Sequence, residues 1–202
     1  MFLTPEQISE NFDQFRKYCE DHTGDRSEKI LYLVDHIAEQ LALCPASSKS
    51  EYHNAFPGGL IEHSLRVLRN AIIINKTFDH KIDKQSIVIT SLFHDLGKCV
   101  HKMENGDLVE YYLPQDSDWH RKQGMVYKYN DAIPFMTIPD RSLWMLQLFG
   151  VELSYEEYLA IKLHDGWALD ENRKYNMKEP TLSQVIMTAD YQACKYEKQF
   201  NK

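Results

Sequence analysis

His94 and Asp95 stand side by side at the C-terminal end of an otherwise apolar segment, Ile87-Val88-Ile89-Thr90-Ser91-Leu92-Phe93, and directly before Leu96-Gly97-Lys98. Successive helical residues point about 100° apart. Both side chains therefore reach one cleft only if that cleft wraps the helix, as a metal site does. A carboxylate buried beside an imidazole is costly unless a cation or hydrogen bonds compensate. Taken alone, the pair fits a metal site and a structural or surface role equally well. His63, in Gly58-Gly59-Leu60-Ile61-Glu62-His63-Ser64-Leu65-Arg66-Val67, shares a helix face with Val67 and is turned inward. By itself it suits a core histidine satisfied by a backbone carbonyl as well as a ligand. Asp190 interrupts the apolar stripe Val185-Ile186-Ala189-Ala193, where an inward carboxylate needs a partner.

Helices must carry these residues, and the chain reads as predominantly α. Thr4-Pro5-Glu6-Gln7 is a capping box with proline at the first helical position, opening a helix with Ile8, Phe12 and Phe15 on one face. A second helix is expected from Ser27, with Leu31, Val34 and Ile37 at helical spacing, ending before Pro45. A loop over 45–58 leads to a third helix from about Leu60 to Lys76. A fourth is expected from about Asp83 to Leu96, stopped by Gly97. Asn105-Gly106, between Val100–Met103 and Leu108–Leu113, signals a β-hairpin. Residues 114–140 read as a long ordered loop. Helices are then expected over about 141–149, from Ser154-Tyr155-Glu156-Glu157 (a second box) to His164, and after Pro180, where Thr181 and Gln184 form a third.

The helix-borne order His63, His94-Asp95, Asp190 resembles the H…HD…D signature of the HD phosphohydrolase superfamily. The flanking words match as well: Gly58-Gly59-Leu60-Ile61-Glu62-His63-Ser64 is similar to the GGL-x-EH-[ST] of one branch, and His94-Asp95-Leu96-Gly97-Lys98 has the HD-x-GK form. The resemblance spans about residues 52–195. It implies an all-α HD-domain helical bundle with a small β-hairpin insertion, a single domain over 1–202 in which helices of 1–45 pack on an HD core of 52–200. It also implies a metal-dependent phosphohydrolase. One divalent transition metal ion would be held by His63, His94, Asp95 and Asp190. Asp95 would bridge to a second, held also by His120 and His164, as in the family's dinuclear branch. The residue before His120 is Trp119 rather than that branch's usual small residue, and His120 is expected in a loop.

Imidazole and carboxylate ligands suit Mn, Fe, Co, Ni or Zn alike. Two such ions activate a water and clamp phosphoryl oxygens, so no Ser or Cys nucleophile is needed. His94, Asp95 and Lys98 are the expected catalytic group. Lys98, Arg66, His53, Trp119 and Arg121 are the expected substrate contacts. Tyr111, Tyr112 and Trp167 are further aromatics able to stack on a base, and the expected substrate is a small phosphorylated compound of the nucleotide class. The six-ligand set equally serves di-iron oxygenases of this fold, and an HD pocket can also bind a nucleotide without cleaving it; the HD-x-GK lysine favours hydrolysis. The GGL-x-EH branch also resembles HD domains of 3′–5′ exoribonucleases.

Composition narrows the rest. The 202 residues carry a formal charge of −7 with 43% hydrophobic and 26% charged residues, a balance suited to a globular fold. No basic stripe is present, which argues against an extended nucleic-acid partner. Apolar runs such as Ala71-Ile72-Ile73-Ile74 stop far short of the roughly 20 residues of a membrane helix. The opening residues lack the basic and apolar regions of a secretory signal. Cys19, Cys44, Cys99 and Cys194 are scattered without a CxxC pair and read as reduced thiols of a cytoplasmic protein.

Overall fold

A computed structural model describes residues 2–200; Met1, Asn201 and Lys202 lie outside the described residues. Helix accounts for 62% and strand for only 7%, which makes the fold all-α with hairpin insertions. The helices are α1 (Pro5–His22), α2 (Ser27–His36), α3 (Ala38–Leu43), α4 (Gly59–Thr77), α5 (Lys84–Phe93), α6 (Asp118–Lys122), α7 (Ile138–Leu148), α8 (Tyr155–Leu163) and α9 (Thr181–Phe200). Helix α5 is central: every residue from Ile87 to Phe93 is buried. It packs against α4, α1, α8 and α9, while α4 and α8 both pack on α9. Residues 94–98 leave α5 through a 3-10 turn at Leu96–Lys98, and α7 lies against that turn.

Caps fix where the site-bearing helices begin. Thr4 and Gln7 form the expected box at α1, Asp83 accepts from the amides of Gln85 and Ser86 at α5, and Ser154 and Glu157 form the second expected box at α8. On α1, Phe15 is 1% exposed and meets Phe93 edge-on at 5.5 Å. Burying a side chain of this size contributes about 2 kcal/mol, and here it backs the residue immediately before His94.

Several elements differ from the sequence reading. The expected second helix is two, α2 and α3, broken at Ile37 (φ −113°, ψ 19°). The break leaves Ile37 wholly buried and turns Leu41 into the same core. Asn105-Gly106 does join a hairpin, β1 (Val100–Lys102) with β2 (Leu108–Glu110), in register Lys102↔Leu108. The second run is split, however. Its remainder is β3 (Tyr112–Pro114), which pairs with β4 (Tyr127–Tyr129). Residues 114–140 thus contain a strand and the short α6 instead of continuous loop. Helix α7 starts at Ile138, capped by Thr137, with Pro139 in its first turn. Thr181 lies inside α9, and the Gln184 side-chain amide donates to Glu179 at 3.0 Å.

Gly97 has a different purpose from stopping a helix. A Cβ there would stand 2.5 Å from the Ile138 carbonyl oxygen and 2.8 Å from Arg141 Cβ, so its smallness admits the first turn of α7. Its amide donates to Ser142 Oγ at 2.8 Å, and Ser142 Oγ donates to the His94 carbonyl at 2.8 Å. Helix α7 thereby holds the turn that aims His94 and Asp95. Gly97→Ala should destabilise the protein by about 1–3 kcal/mol, the usual cost of overpacking. Urea denaturation checks this, and an unchanged midpoint would contradict it.

Candidate metal centre

Helix α4 delivers His63, the end of α5 delivers His94 and Asp95, the end of α8 delivers His164, and α9 delivers Asp190. These five residues meet in the interior. His63 and His94 are fully buried and Asp95 and His164 are each 3% exposed. His63 Nε2 lies 3.1 Å from Asp190 Oδ1, 3.8 Å from Asp95 Oδ2 and 3.3 Å from His94 Nε2. His94 Nε2 is 3.5 Å from Asp95 Oδ2, and His164 Nε2 is 3.3 Å from Asp95 Oδ1. The two oxygens of Asp95 therefore face different imidazoles. Lys98 Nζ donates to Asp95 Oδ2 at 2.5 Å.

The outer nitrogens of all three rings are already used. His94 Nδ1 faces the Ser91 carbonyl at 2.9 Å and His164 Nδ1 the Ile161 carbonyl at 2.8 Å. His63 Nδ1 faces the Glu197 carboxylate at 3.0 Å. With each Nδ1 donating outward, the Nε2 lone pairs of His63 and His94 point at each other across 3.3 Å. Facing lone pairs repel unless a proton or a cation lies between them. The donor chemistry fits a divalent ion: imidazoles and carboxylates, with donor atoms of His63, His94 and Asp95, and of His94, His164 and Asp190, lying within 4.8 Å of one another in each set.

Electrostatics agree with that fit. Burial opposes charge on His63, yet the carboxylates of Glu197 and Asp190 overcome it and raise the imidazole to about 10. Burial likewise opposes charge on His164, which Asp165 and Asp95 raise to about 9. Burial would raise Asp95, but the Lys98 ammonium and then His94 hold it well below the usual carboxylate range. Asp190 is lowered against its burial chiefly by its bond to His63. The cluster thus holds its carboxylates ionised and draws in positive charge, which protons or a metal ion can supply as alternatives.

The remaining expected site residues divide. His53 packs on His63 with ring centroids 4.7 Å apart, and its Nε2 is buried without a hydrogen-bond partner. Burial first, and then the nearby His63 and Lys98 charges, lower it to about 2, so it is neutral. Lys98 is at the centre, its charge favoured by Asp95 against burial. Tyr112 is buried, and of the nearby charges Lys98 acts on it most strongly.

Arg66 is used elsewhere than the expected phosphate contact. Its Nε donates to Glu197 at 3.0 Å, a terminal nitrogen donates to Glu62 at 3.0 Å, and the guanidinium lies over Tyr196. Arg121 pairs with Asp118 and the Gln115 carbonyl, and Trp119 is 64% exposed, edge-on to His120. His120 lies on α6, not in a loop, and outside every close donor set among the described residues. Local bonds among Gln115, Ser117, Asp118 and Arg121 hold this segment, and His120 Nδ1 is buried there without a hydrogen-bond partner.

Glu197 was not foreseen. It is 3% exposed on α9 and follows Asp190 by seven residues, the same helix face. As a charge extending the Ala189–Ala193 stripe by four residues, it carried the signal that singled out Asp190. Cys194, also unforeseen, places Sγ 3.4 Å from Asp190 Oδ1 and belongs to a close set with His53 and His63.

No helix among the described residues is long and apolar enough to cross a membrane. No curated protein and no solved structure matches the chain. Comparison with family models matches residues 60–193 to the HD domain, a span that includes His63, His94, Asp95, His164 and Asp190. The chain belongs to the HD-domain family, within the superfamily of metal-dependent phosphohydrolases.

Proposed function

We propose that this protein hydrolyses a phosphate ester or anhydride bond of a small substrate of the nucleotide class, with His63, His94, Asp95, Asp190 and His164 as metal ligands. The observation that carries the reading is the convergence of three imidazole Nε2 atoms and two carboxylates from four helices on one buried centre. Bound there, a divalent transition metal ion supplies Lewis-acid polarisation of phosphoryl oxygens and lowers the pKa of water. Asp95, with one oxygen toward His63 and His94 and the other toward His164, orients both sides of the centre. A second ion would need a further ligand, and the expectation that His120 provides it gains no support from its place on α6.

Asp190 and Lys98, each with 14% of the side chain exposed, are where the cluster meets solvent. Substrate approaches from that side. Lys98 neutralises phosphate charge while Asp95 anchors its ammonium. His53, neutral and with an unsatisfied Nε2, hydrogen-bonds a substrate oxygen or hydroxyl. The reading of the N-terminal helices as part of the same domain is supported by Phe15 of α1 and Phe93 of α5 lying in one core.

The test is metal analysis of the purified protein together with turnover of nucleoside phosphates and a synthetic phosphodiester, with Mn, Co, Ni or Mg, in air and without oxygen. We expect bound transition metal and anaerobic release of the hydrolysed product. Strict dependence on iron and oxygen would make the protein an oxygenase instead. Nucleotide binding without turnover under any metal would make it a binding module.

A further inference from the structure

The three imidazoles of the centre are not supported alike. His94 and His164 each direct Nδ1 at the main-chain carbonyl three residues earlier, a neutral acceptor fixed by their own helix ends. His63 directs Nδ1 at a carboxylate from another helix, Glu197, at 3.0 Å and 3.3 Å to its two oxygens. That carboxylate is itself held: Arg66 Nε donates to Oε1 at 3.0 Å, and Arg66 in turn is fixed by Glu62 at 3.0 Å and by the ring of Tyr196 at 4.4 Å. The side chain of Glu197 is 1% exposed. A buried carboxylate is expensive to desolvate, and an apolar residue of similar volume would join α4 to α9 at less cost.

We propose that Glu197 is a positioning residue for His63. By accepting the Nδ1 proton it fixes the tautomer whose Nε2 lone pair faces Asp190 and Asp95, and its charge makes that nitrogen a stronger donor to a metal ion. The proposal rests on the metal-centre reading above. It gives Arg66 a definite task, orienting the Glu197 carboxylate through Oε1, the oxygen farther from His63 Nδ1. It also makes the centre asymmetric, with the strongest nitrogen donor on α4 and the weaker donors on α5 and α8. A carboxylate on the outer nitrogen of a metal-bound histidine orients the ring and raises its basicity, and losing such a partner typically weakens metal binding about 10- to 100-fold.

The experiment is titration of the metal-free full-length protein with cobalt(II), reading the dissociation constant against a competing chelator and the visible absorption of the bound ion. Glu197→Gln keeps an oxygen able to accept the Nδ1 proton but removes the charge. It should weaken cobalt binding about 10- to 100-fold and shift the absorption band, because the donor strength at the ion has changed. A role limited to joining α4 and α9 would alter the melting midpoint and leave the band of the folded protein where it was. Glu197→Asp, which withdraws the carboxylate by one methylene, should fall between the two, and it decides the matter alone if Glu197→Gln does not fold. Affinity within twofold of the unaltered protein, with an unchanged band, in whichever of these variants folds would overturn the proposal. An unaltered protein that binds no cobalt would overturn the metal-centre reading as well, so the two failures are distinct.

Discussion

Asp95→Asn should reduce kcat/KM by about 1,000-fold or more, roughly 4 kcal/mol of transition-state stabilisation, and should strip most of the bound metal. The substitution is isosteric, so lost packing cannot explain the loss. It removes a carboxylate whose two oxygens face both sides of the centre, His63 and His94 on one and His164 on the other. It also leaves the Lys98 ammonium, bonded to Asp95 at 2.5 Å, without its counter-charge. Removing one member of a buried pair commonly costs 3–5 kcal/mol or so, and the metal-free variant should unfold at lower denaturant for this reason. The double variant Asp95→Asn with Lys98→Met separates the two effects, because it removes both charges. It should regain much of the lost stability while remaining inactive and metal-poor. Atomic emission for metal content, urea denaturation for stability and steady-state kinetics with added metal read the three quantities independently. An Asp95→Asn protein that keeps its metal and more than a tenth of its activity would refute the role given to Asp95.

The buried cluster was legible because the residues proposed as ligands break strong local patterns. His63 and Asp190 are polar residues on apolar helix faces, and His94-Asp95 ends the most apolar helix of the chain; the pattern of each segment by itself demands a partner. Their convergence on one point was not legible from spacing, since it depends on how α4, α5, α8 and α9 pack. The resemblance to the HD signature bridged that gap. Where the expectation went astray, long-range pairing was responsible. Arg66 stood near the right face for phosphate, but Glu62, four residues before it, and Glu197, 131 residues after it, take its guanidinium. The backbone shows the same division. Caps at Thr4 and Ser154 are local hydrogen-bond chemistry and were readable. The break at Ile37 and the pairing of β3 with β4 answer to tertiary packing, which a run of sequence does not display. Gly97 was visible as a punctuating glycine, yet its reason, the close passage of α7, lies 41 residues away in Ile138.

Glu157→Ala should destabilise the protein by about 3–5 kcal/mol, on the order of a 10 °C fall in Tm for a chain of this size. None of the proposed metal ligands is touched, yet Glu157 joins α8 to α5, the two helices that end in His164 and His94, and ties both to Arg26 just before α2. One oxygen accepts from the Ser154 amide at 2.8 Å, closing the cap of α8, and from Arg26 at 2.6 Å; the other accepts from Arg26 at 2.9 Å and from Ser86 Oγ on α5 at 2.8 Å. The side chain is 1% exposed and its arginine partner 16%, so solvent screens the pair weakly. Truncation leaves a half-buried guanidinium without a carboxylate and loosens α8 against α5, the helices that end in His164 and His94. The pH dependence follows from sign. Burial opposes ionisation of Glu157, but the bonds from Arg26, Ser154 and Ser86 outweigh it and hold the carboxyl below its ordinary value of 4.5. Its stabilisation is therefore complete above that value and is lost as pH falls through the lower native one. Urea denaturation of the unaltered and Glu157→Gln proteins should show their widest gap near neutral pH, narrowing as the solution is made more acidic than pH 4.5. A gap that widens on acidification would mean that hydrogen bonding by the neutral carboxyl, not its charge, joins α8 to α5.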